Sequence, residues 1–365
     1  MPFNTAVLQE TRPGELRQAM VPAVGAQLEK LGAAVAYGAG AAEAAEAELV
    51  LGVQPPTLTV ARALRAGTAL VSFLPVRQEP ELIAALRERQ VTSFAMELIP
   101  RISRAQSMDA LSSQAALAGY EAVLLGAAQL GRLLPRMTTA AGVIRPATAL
   151  VMGLGVAGLQ AIATLRRLGA VIEAYDVRPE TKEEAESLGA RFIATGVDAR
   201  GQGGYARELS PEERATITAA ITAHVQAADL IITAAAVPGR RAPRLITAAQ
   251  VAGMKAGAVI VDLGAESGGN CELSRPGEVA SAAARGGAVT ILAPLNLTSR
   301  LAEAASELYA KNILNLLKLM IKDGALAPDW SDEILAQAVV TRNGEIVNAA
   351  AREAVAQLEA AKVPR

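Results

Sequence analysis

The sequence is short of the side chains that bind metals and move protons near neutral pH. Its 365 residues include a single cysteine, Cys271, and a single histidine, His224. A disulfide within the chain and a zinc site of cysteine and histidine are therefore excluded, and a reducing compartment fits. His224 lies near the end of an amphipathic helical pattern, with no partner evident in the sequence around it. We expect a surface or capping histidine rather than a general base, and no metal site.

An excess of charge of either sign is missing as well. The chain carries 35 Lys and Arg against 36 Asp and Glu, a formal net charge of −1. Nucleic acids and anionic membranes attract proteins through a basic field that this composition does not provide. We therefore expect no nucleic-acid partner. The opening residues, MPFNTAVLQE, also lack the basic and apolar regions of a signal peptide.

One uncharged run, PATALVMGLGVAGLQAIATL at residues 146–165, is long enough to cross a membrane. Three glycines interrupt it, at Gly153, Gly155 and Gly158. This spacing is more typical of a strand, a tight turn and a helix than of a membrane span. We expect the chain by itself to be soluble.

Short Val/Ile/Leu-rich runs alternate with helical patterns along the whole chain, which predicts βαβ units and parallel sheets. We predict an α/β fold of two Rossmann-like parallel-sheet domains, joined by long helices and with a cleft between them. The N-terminal domain would comprise residues 1–125 and 300–365, and the second domain residues 126–299. Long helices are expected at about 107–134 and 301–322, and a shorter one at 78–89. Candidate strands are 5–10, 34–40, 48–53, 69–75 and 91–97 in the first third, then 147–155, 170–177, 190–196, 229–236, 258–264 and 288–294.

The segment VMGLGVAGLQA (151–161) places Gly153, Gly155 and Gly158 between a strand pattern and a helix pattern. In a dinucleotide-binding turn the first glycine permits the tight turn, the second lets the backbone approach a pyrophosphate, and the third allows the helix to pack closely. Val156 and Ala157 would begin the helix, whose amides and dipole favour phosphate. We therefore expect NAD(H) binding in the second domain, with a glycine-rich turn without ligand as the alternative.

Asp176 ends the next predicted strand, 18 residues after Gly158, close to the spacing expected of a ribose-binding acid. A carboxylate there favours NAD and repels the 2′-phosphate of NADP. Val177 and Arg178 follow it as further candidate contacts. Arg178 could receive a 2′-phosphate, although a plain surface charge is the interpretation we favour.

Other candidate cofactor contacts follow later strands of the second domain, because ligands sit beyond the carboxyl ends of parallel strands. Turn chemistry alone explains each of these residues equally well. An insertion at 197–213 is either a mobile lid anchored by Tyr205 or a surface loop, and Ser210-Pro211 is expected to cap the helix after it. The candidates at the strand ends are Ala235, Val237, Pro238 and Gly239 after one strand, and Leu263, Glu266 and Asn270 after the next.

A polar segment, PRISRAQSMDALSSQ at residues 100–114, stands out from the apolar sequence around it; we call it the polar loop. It can be the start of a solvated helix, with Ser107 as N-cap and Asp109 as a first-turn acid. Capping leaves Arg101, Gln106 and Ser112 unexplained, so a polar binding site is the alternative.

The lack of a general base also bears on the reaction. Enzymes that oxidise alcohols or amines with a nicotinamide must move a proton as well, which needs a base such as His or Lys. Hydride transfer between two nicotinamides releases no proton at the reacting carbon, so the protein need only align two rings and exclude water. This sequence suits the second reaction.

Several motifs, in the same order along the chain, closely resemble the NAD(H)-binding domain of proton-translocating NAD(P) transhydrogenases, in the alanine dehydrogenase/transhydrogenase family. The resemblance runs from about Gln9 to Lys322. The motifs are the polar loop, AGY (118–120), GLGVAG (153–158), YDVRPE (175–180), GGYA (203–206), VPG (237–239) and GGNC (268–271).

The resemblance implies roles for individual residues. Gln106 would position the nicotinamide ring and its carboxamide, with Arg101, Asp109 and Ser112 in the same catalytic loop. Asp176 would bind the adenosine ribose, and Tyr205 would belong to a mobile loop that closes over the nucleotide.

The resemblance also implies partners. Such a domain binds NADH and passes hydride to NADP+ held by a partner, coupled to proton translocation. This chain would be the peripheral alpha-1 subunit of a split transhydrogenase and a homodimer. Its partners would be a membrane alpha-2 subunit and a beta subunit with the NADP(H)-binding domain. It would lie in the cytoplasm, attached through them to the inner face of the plasma membrane.

Two rival functions stay open: an alanine dehydrogenase-like amino-acid dehydrogenase and a non-catalytic NAD-binding regulator. The alanine dehydrogenase branch carries a catalytic lysine in a Lys-Val-Lys-Glu-Pro stretch and a histidine in a His-Leu-Ala stretch. Here the corresponding places read Gly52-Val53-Gln54-Pro55-Pro56 and Leu74-Pro75-Val76. Both proton-handling residues are absent, which disfavours the first rival. Arg17, in GELRQAMVP, matches an arginine of both branches and does not discriminate between them.

Overall fold

A seven-stranded sheet forms the centre of each of two units in the computed structural model of the chain. The structure describes residues 1–201, 206–236 and 241–362. Unit 1 comprises Met1–Gln114 and Ser299–Arg365, and unit 2 comprises Ala115–Thr298. The boundaries predicted from the sequence lie after residues 125 and 299, and the first of them is eleven residues beyond the boundary in the structure.

The first half of unit 1 alternates strands with short helices, and each of its five predicted strands is present within a few residues of the predicted range. The helix predicted at 78–89 is confirmed as α4. Two 3₁₀ helices, Met96–Leu98 and Ser103–Met108, follow the last of these strands. The elements are β1 Phe3–Leu8, α1 Pro22–Glu29, β2 Ala33–Ala39, α2 Ala41–Ala45, β3 Leu49–Leu51, α3 Leu58–Ala63, β4 Ala69–Ser72, α4 Pro80–Glu88 and β5 Thr92–Ala95.

A long helix, α5 (Ala110–Gln129), leads into unit 2, where the six predicted strands are again present. Ser210 caps α8 as expected, in a capping box with Glu213. The elements are β6 Met137–Thr139, β7 Gly142–Ile144, β8 Thr148–Met152, α6 Val156–Arg167, β9 Val171–Tyr175, α7 Thr181–Ser187, β10 Arg191–Phe192, α8 Pro211–Ala227, β11 Leu230–Thr233, α9 Ala248–Ala252, β12 Val259–Asp262, the 3₁₀ helix Ala265–Ser267, β13 Val279–Ala284 and β14 Gly287–Leu292.

The last segment of the chain belongs to unit 1 and completes its sheet. Trp330, the only tryptophan, stacks on Phe94 of β5 with 6.0 Å between ring centroids. The guanidinium of Arg342 lies 4.5 Å from the centre of the Trp330 ring. The elements, after the 3₁₀ helix Leu297–Leu301, are α10 Ala302–Met320, β15 Ile321–Lys322, β16 Ala325–Leu326, α11 Glu333–Ala338, β17 Val339–Arg342, β18 Glu345–Ile346 and α12 Ala349–Lys362.

Both sheets are wound in two directions from one strand. The order in unit 1 is β18-β17-β5-β4-β3-β1-β2, with β1 to β5 parallel, and the order in unit 2 is β10-β9-β8-β11-β12-β14-β13, parallel except for β13. The chain reverses direction across the sheet between β1 and β3 in unit 1, and between β8 and β11 in unit 2. Ligands of such sheets bind at the carboxyl ends of the strands beside this reversal.

Some elements differ from the predictions. The helix predicted over 107–134 is a 3₁₀ helix followed by α5, because Asp109 has a ψ of 88° that interrupts the helical path. The β6–β7 hairpin, the antiparallel strand β13 and the strands β15 to β18 were not predicted, since they are short or rich in small residues. The uncharged run at 146–165 forms β8, a turn and most of α6. No helix in the described portion of the chain is long and apolar enough to span a bilayer.

Candidate functional site

The turn between β8 and α6, residues 153–158, has glycines for three separate reasons; we call it the glycine turn. Gly153 has a φ of +94°, and a Cβ there would lie 2.6 Å from the backbone nitrogen of Ala235. A Cβ on Gly158 would lie 1.9 Å from the carbonyl oxygen of Gly153. A Cβ on Gly155 would meet no atom within 4 Å. The fold therefore requires Gly153 and Gly158, whereas the space beside Gly155 is open.

The start of α6 faces this open space with its own backbone. Gly155 is the N-cap residue and provides no side-chain cap, and the first amides of a helix have no partner within it. The amides of Val156 and Ala157 can therefore meet a phosphate, which the helix dipole also favours. Helix α5 packs tightly against this point, because a Cβ on Gly119 would lie 2.1 Å from the carbonyl oxygen of Ala157.

Asp176, directly after β9, joins the glycine turn to its own strand end. One carboxylate oxygen accepts from the Leu154 amide at 2.7 Å and from Arg178 Nη2 at 2.7 Å. The other accepts from Arg178 N and Nε, both at 2.9 Å. The expectation that Arg178 is a plain surface charge is wrong: its side chain is 17% exposed and forms an ion pair with Asp176. The pair fills the acceptor positions that ribose hydroxyls would use, so a ribose must displace the guanidinium.

The strand end after β11 is held by side chains from the turn after β12. Asn270 is fully buried; its side-chain amide accepts from Ala235 N at 3.2 Å and donates to Ala235 O at 2.8 Å and Pro243 O at 2.7 Å. Asp262 is fully buried as well and accepts from Thr233 Oγ1 at 2.9 Å and from the Asn270 amide at 3.1 Å. These two residues fix the backbone of Ala235, which forms one wall of the glycine turn.

The remaining candidates of unit 2 have varied surroundings. Leu263 is half-buried and packs on the core, and Glu266 is exposed and accepts from the Asn296 amide. His224 does have a partner, contrary to expectation: its Nδ1 lies 2.8 Å from Glu173 Oε2. Half-buried Val177 packs on the core beside Tyr175. Four other predicted contacts lie outside the described residues, namely Tyr205, Val237, Pro238 and Gly239.

In unit 1 the polar loop forms the 3₁₀ helix Ser103–Met108 and the first turn of α5. Asp109, and not Ser107, caps α5: it accepts from Ser112 N at 2.9 Å and from Ser112 Oγ at 2.6 Å. The Ser107 carbonyl instead accepts from Asn312 Nδ2 at 2.9 Å. The sequence did not reveal this, because the cap and its rival are two residues apart and both favour helix starts.

The side chains of the polar loop divide between anchoring and exposure. Arg104 makes a bidentate ion pair with Asp332, at 2.8 and 3.0 Å, an anchor that sequence reasoning missed. Arg101 is exposed just before the 3₁₀ helix. Gln106 is exposed too, and its side chain makes no hydrogen bond with any residue in the described ranges. The loop is thus held by its neighbours while Gln106 is left for another use.

Comparison with known families matches almost the whole of both units. Residues 31–118 match the model of the alanine dehydrogenase/PNT N-terminal domain, and residues 122–349 match that of the alanine dehydrogenase/PNT C-terminal domain.

The chain belongs to the alanine dehydrogenase/PNT family.

Individual relatives in the family agree. The first portion of NAD(P) transhydrogenase subunit alpha from Rhodospirillum rubrum is 44% identical, over 95% of this chain and 98% of the relative. A transhydrogenase structure from Sinorhizobium meliloti has a TM-score of 0.84 at 40% identity, covering 94% of this chain and 99% of that one. Alanine dehydrogenase of Mycobacterium tuberculosis is 30% identical, over 75% of this chain and 76% of the relative.

At the carboxyl edge of the unit 1 sheet, this family member has a buried ion pair. Arg17 donates through N and Nε to Glu15 Oε1 at 2.9 and 2.8 Å, and through Nη2 to Glu15 Oε2 at 2.6 Å. Its Nη1 donates to Gln114 Oε1 at 2.9 Å, and Gln54 Nε2 donates to Glu15 Oε2 at 2.7 Å. Burial alone would raise the pKa of Glu15, but the hydrogen bonds and charge of Arg17 and the bond from Gln54 lower it to about 2.

Two further carboxyl groups of unit 1 lie at the same edge. Burial raises the pKa of Glu10 to about 6, although it accepts from the Val53 and Gln54 amides. Burial also raises the pKa of Glu97 to about 7, although it accepts from the Leu74 amide. Gln54 and Leu74 stand where the alanine dehydrogenase branch has its lysine and histidine. Here those positions complete an internal hydrogen-bond network, and they offer no proton-transfer group.

Proposed function

We propose that this chain is the peripheral NAD(H)-binding subunit of a proton-translocating transhydrogenase. It holds NADH while hydride passes to NADP+ on a partner subunit, coupled to proton translocation by the assembly. The observation that supports this most directly is the glycine turn, in which an open Gly155 lies between two glycines that the fold itself requires.

The residues of unit 2 fit the nucleotide half of NAD(H). The diphosphate meets the amides of Val156 and Ala157 beside Gly155. Asp176 accepts from the ribose hydroxyls after Arg178 swings away, and its charge opposes a 2′-phosphate. The nucleotide also contacts Arg178, Val177, Leu263, Glu266, the turn from Ala235 through Val237, Pro238 and Gly239, and Tyr205, with Asn270 acting through Ala235.

The polar loop of unit 1 acts on the reacting half. When bound, NADH supplies a hydride at its nicotinamide ring. Gln106 orients the ring and its carboxamide, Arg101 contributes to the same catalytic loop, and Asp109 and Ser112 fix the start of α5 behind it. Because no proton is exchanged at the reacting carbon, alignment and exclusion of water are the tasks left to the protein.

We further propose that the chain is a homodimer and that the β6–β7 hairpin contributes to the contact. Each hairpin strand has three residues, all exposed, with Val143 at 52% and Ile144 at 46% exposure. A two-stranded hairpin is only marginally stable in water by itself, and a second copy of the chain would cover these apolar side chains. Sedimentation equilibrium tests this: a mass of twice 37.6 kDa is expected, and a monomer at micromolar concentration contradicts it.

In the cell, a membrane alpha-2 subunit and a beta subunit with the NADP(H)-binding domain complete the assembly. The chain then lies in the cytoplasm, at the inner face of the plasma membrane. The test is reconstitution. The chain alone should bind NADH much better than NADPH, and hydride exchange between NADH and an NADP+ analogue should require the beta subunit's NADP(H)-binding domain. Alanine-dependent reduction of NAD+ by the chain alone would favour an amino-acid dehydrogenase. Binding of both nucleotides without exchange would favour a regulator.

A further inference from the structure

Helix α10 holds the peptide that follows Gln106. Asn312 is 7% exposed and donates through Nδ2 to the Ser107 carbonyl at 2.9 Å, while its Oδ1 accepts from Ser113 Oγ at 2.7 Å. Asn315, one helical turn further on, donates to the same carbonyl at 3.2 Å. One buried amide therefore joins the 3₁₀ helix of the polar loop to the first turn of α5.

The polar loop needs such an external hold. A 3₁₀ helix has poorer hydrogen-bond geometry than an α-helix, and the ψ of 88° at Asp109 separates this one from α5. Buried Ala105 and Met108 fix its apolar side. The Arg104–Asp332 pair fixes the other end, but the Arg104 side chain is 47% exposed, and exposed pairs contribute little.

We propose that Asn312 is a positioning residue for Gln106. By holding the Ser107 carbonyl against α10 and the Ser113 hydroxyl against the same side chain, it fixes the direction in which Gln106 leaves the 3₁₀ helix. The inference rests on the proposed role of Gln106 in orienting the nicotinamide ring. A hold on the adjacent peptide then governs the rate of hydride transfer more than the affinity for NADH, since a small misplacement costs rate steeply.

The matched pair Asn312→Asp and Asn315→Asp tests the proposal. Both changes remove an amide donor to the same carbonyl and leave an acceptor of the same size, but only Asn312 is buried and joined to Ser113. We expect Asn312→Asp to lower hydride exchange at saturating NADH about tenfold or more, with NADH affinity within about threefold of the parent chain. Asn315→Asp should change both by less than about threefold.

Two readouts do not depend on turnover or on bound nucleotide. Amide hydrogen exchange across residues 103–112 should be faster by about tenfold in Asn312→Asp and nearly unchanged in Asn315→Asp. Fluorescence of Trp330, which lies in unit 1, reports whether each variant is folded. In addition, the carboxyl group introduced at position 312 can donate to the Ser107 carbonyl once protonated. Lowering the pH should therefore slow amide exchange in this variant back toward the parent rate.

The proposal is overturned if amide exchange in the loop is the same in Asn312→Asp and the parent chain, whatever the activity. It is also overturned if NADH affinity falls as much as the rate, or if Asn315→Asp has an equal effect. Failure of the parent chain to exchange hydride in the reconstituted mixture is a different result, because it refutes the proposed function and the role of Gln106 with it.

Discussion

The two units have sheets of the same winding but opposite treatment of the point where the winding reverses. In unit 2 the carboxyl ends of β8 and β11 meet at the glycine turn, where Gly155 leaves space and the start of α6 presents amides. In unit 1 the carboxyl ends of β1 and β3 meet beside Glu15 and Arg17, which are buried against each other. A doubly wound sheet thus offers a ligand position by topology, and side chains decide whether that position is open or filled.

The largest effect is expected from breaking the filled position. Arg17→Ala leaves the Glu15 carboxylate buried without its partner, and loss of one member of a buried pair costs about 3–5 kcal/mol. Unit 1 should therefore unfold at lower denaturant concentration, as followed by Trp330 fluorescence. Arg12→Ala is the matched control, because it breaks an exposed Arg–Glu pair with Glu79 and should cost at most about 1 kcal/mol. Equal costs for the two variants would contradict the distinction.

The filled position should also make the stability of unit 1 depend on pH. The folded-state pKa of Glu97 is raised from 4.5 to about 7, so the folded state resists an ionisation that the unfolded chain completes near pH 4.5. Stability is therefore lost as the pH rises from about 4.5 to about 7, by about 3 kcal/mol at about 1.4 kcal/mol per pKa unit. Glu10 acts in the same direction up to about pH 6.

Glu15 acts in the opposite sense and in a lower window. Its folded-state pKa of about 2 lies below the ordinary 4.5, so its contribution is present above pH 4.5 and lost as the pH falls toward 2. Denaturant unfolding of unit 1 between pH 3 and 8 should accordingly show greatest stability at roughly pH 4–5. Glu97→Gln should flatten the fall on the alkaline side. An unchanged fall in that variant would show that another group is responsible.

In the open position, the two kinds of glycine can be told apart. Gly158→Ala puts a methyl group against the Gly153 carbonyl and should destabilise unit 2 by roughly 1–3 kcal/mol, as overpacking does, with loss of NADH binding. Gly155→Ala should change stability by only a few tenths of a kcal/mol, about the usual difference between these residues at an N-cap, yet weaken NADH binding because its methyl group enters the open space. Calorimetric melting and NADH titration of both variants check this. Full NADH affinity in Gly155→Ala would mean that the space holds no ligand.

The smallest effects separate rate from affinity. Gln106→Asn shortens a side chain that makes no internal hydrogen bond among the described residues, so it should slow hydride exchange about tenfold or more with little change in NADH affinity. Asp176→Asn should do the reverse, weakening NADH binding about tenfold through loss of charge-assisted bonds to ribose. Single-turnover exchange and equilibrium titration measure the two quantities. A large loss of affinity in Gln106→Asn with an unchanged rate would contradict its role.

Much of the fold was predictable because buried parallel strands are continuous apolar runs bounded by turn residues. All eleven strands predicted from such runs are present. The β6–β7 hairpin and β13 were missed because their residues are exposed or small, so no hydrophobic pattern marks them. The glycine turn was predictable residue by residue, since each glycine answers a separate steric demand within a short segment.

Side-chain partnerships distant in sequence were not predictable. Arg104 pairs with Asp332, Asn312 holds Ser107, and His224 contacts Glu173, each across more than 50 residues. Arg178 was misjudged for a different reason: its partner is two residues away, and only the turn after β9 brings its guanidinium back onto Asp176. Local sequence gives the turn its chemistry, whereas tertiary packing decides which charges meet.

The central claim is direct passage of hydride from NADH on this chain to NADP+ on a partner. The most direct measurement mixes the chain with the beta subunit's NADP(H)-binding domain and supplies NADH deuterated at the transferred position of the nicotinamide ring. The account predicts that the deuterium appears on the ring of NADPH without loss to water, and that omitting either protein abolishes the transfer. Deuterium released to solvent, or no labelled NADPH while both proteins bind their nucleotides, would contradict it.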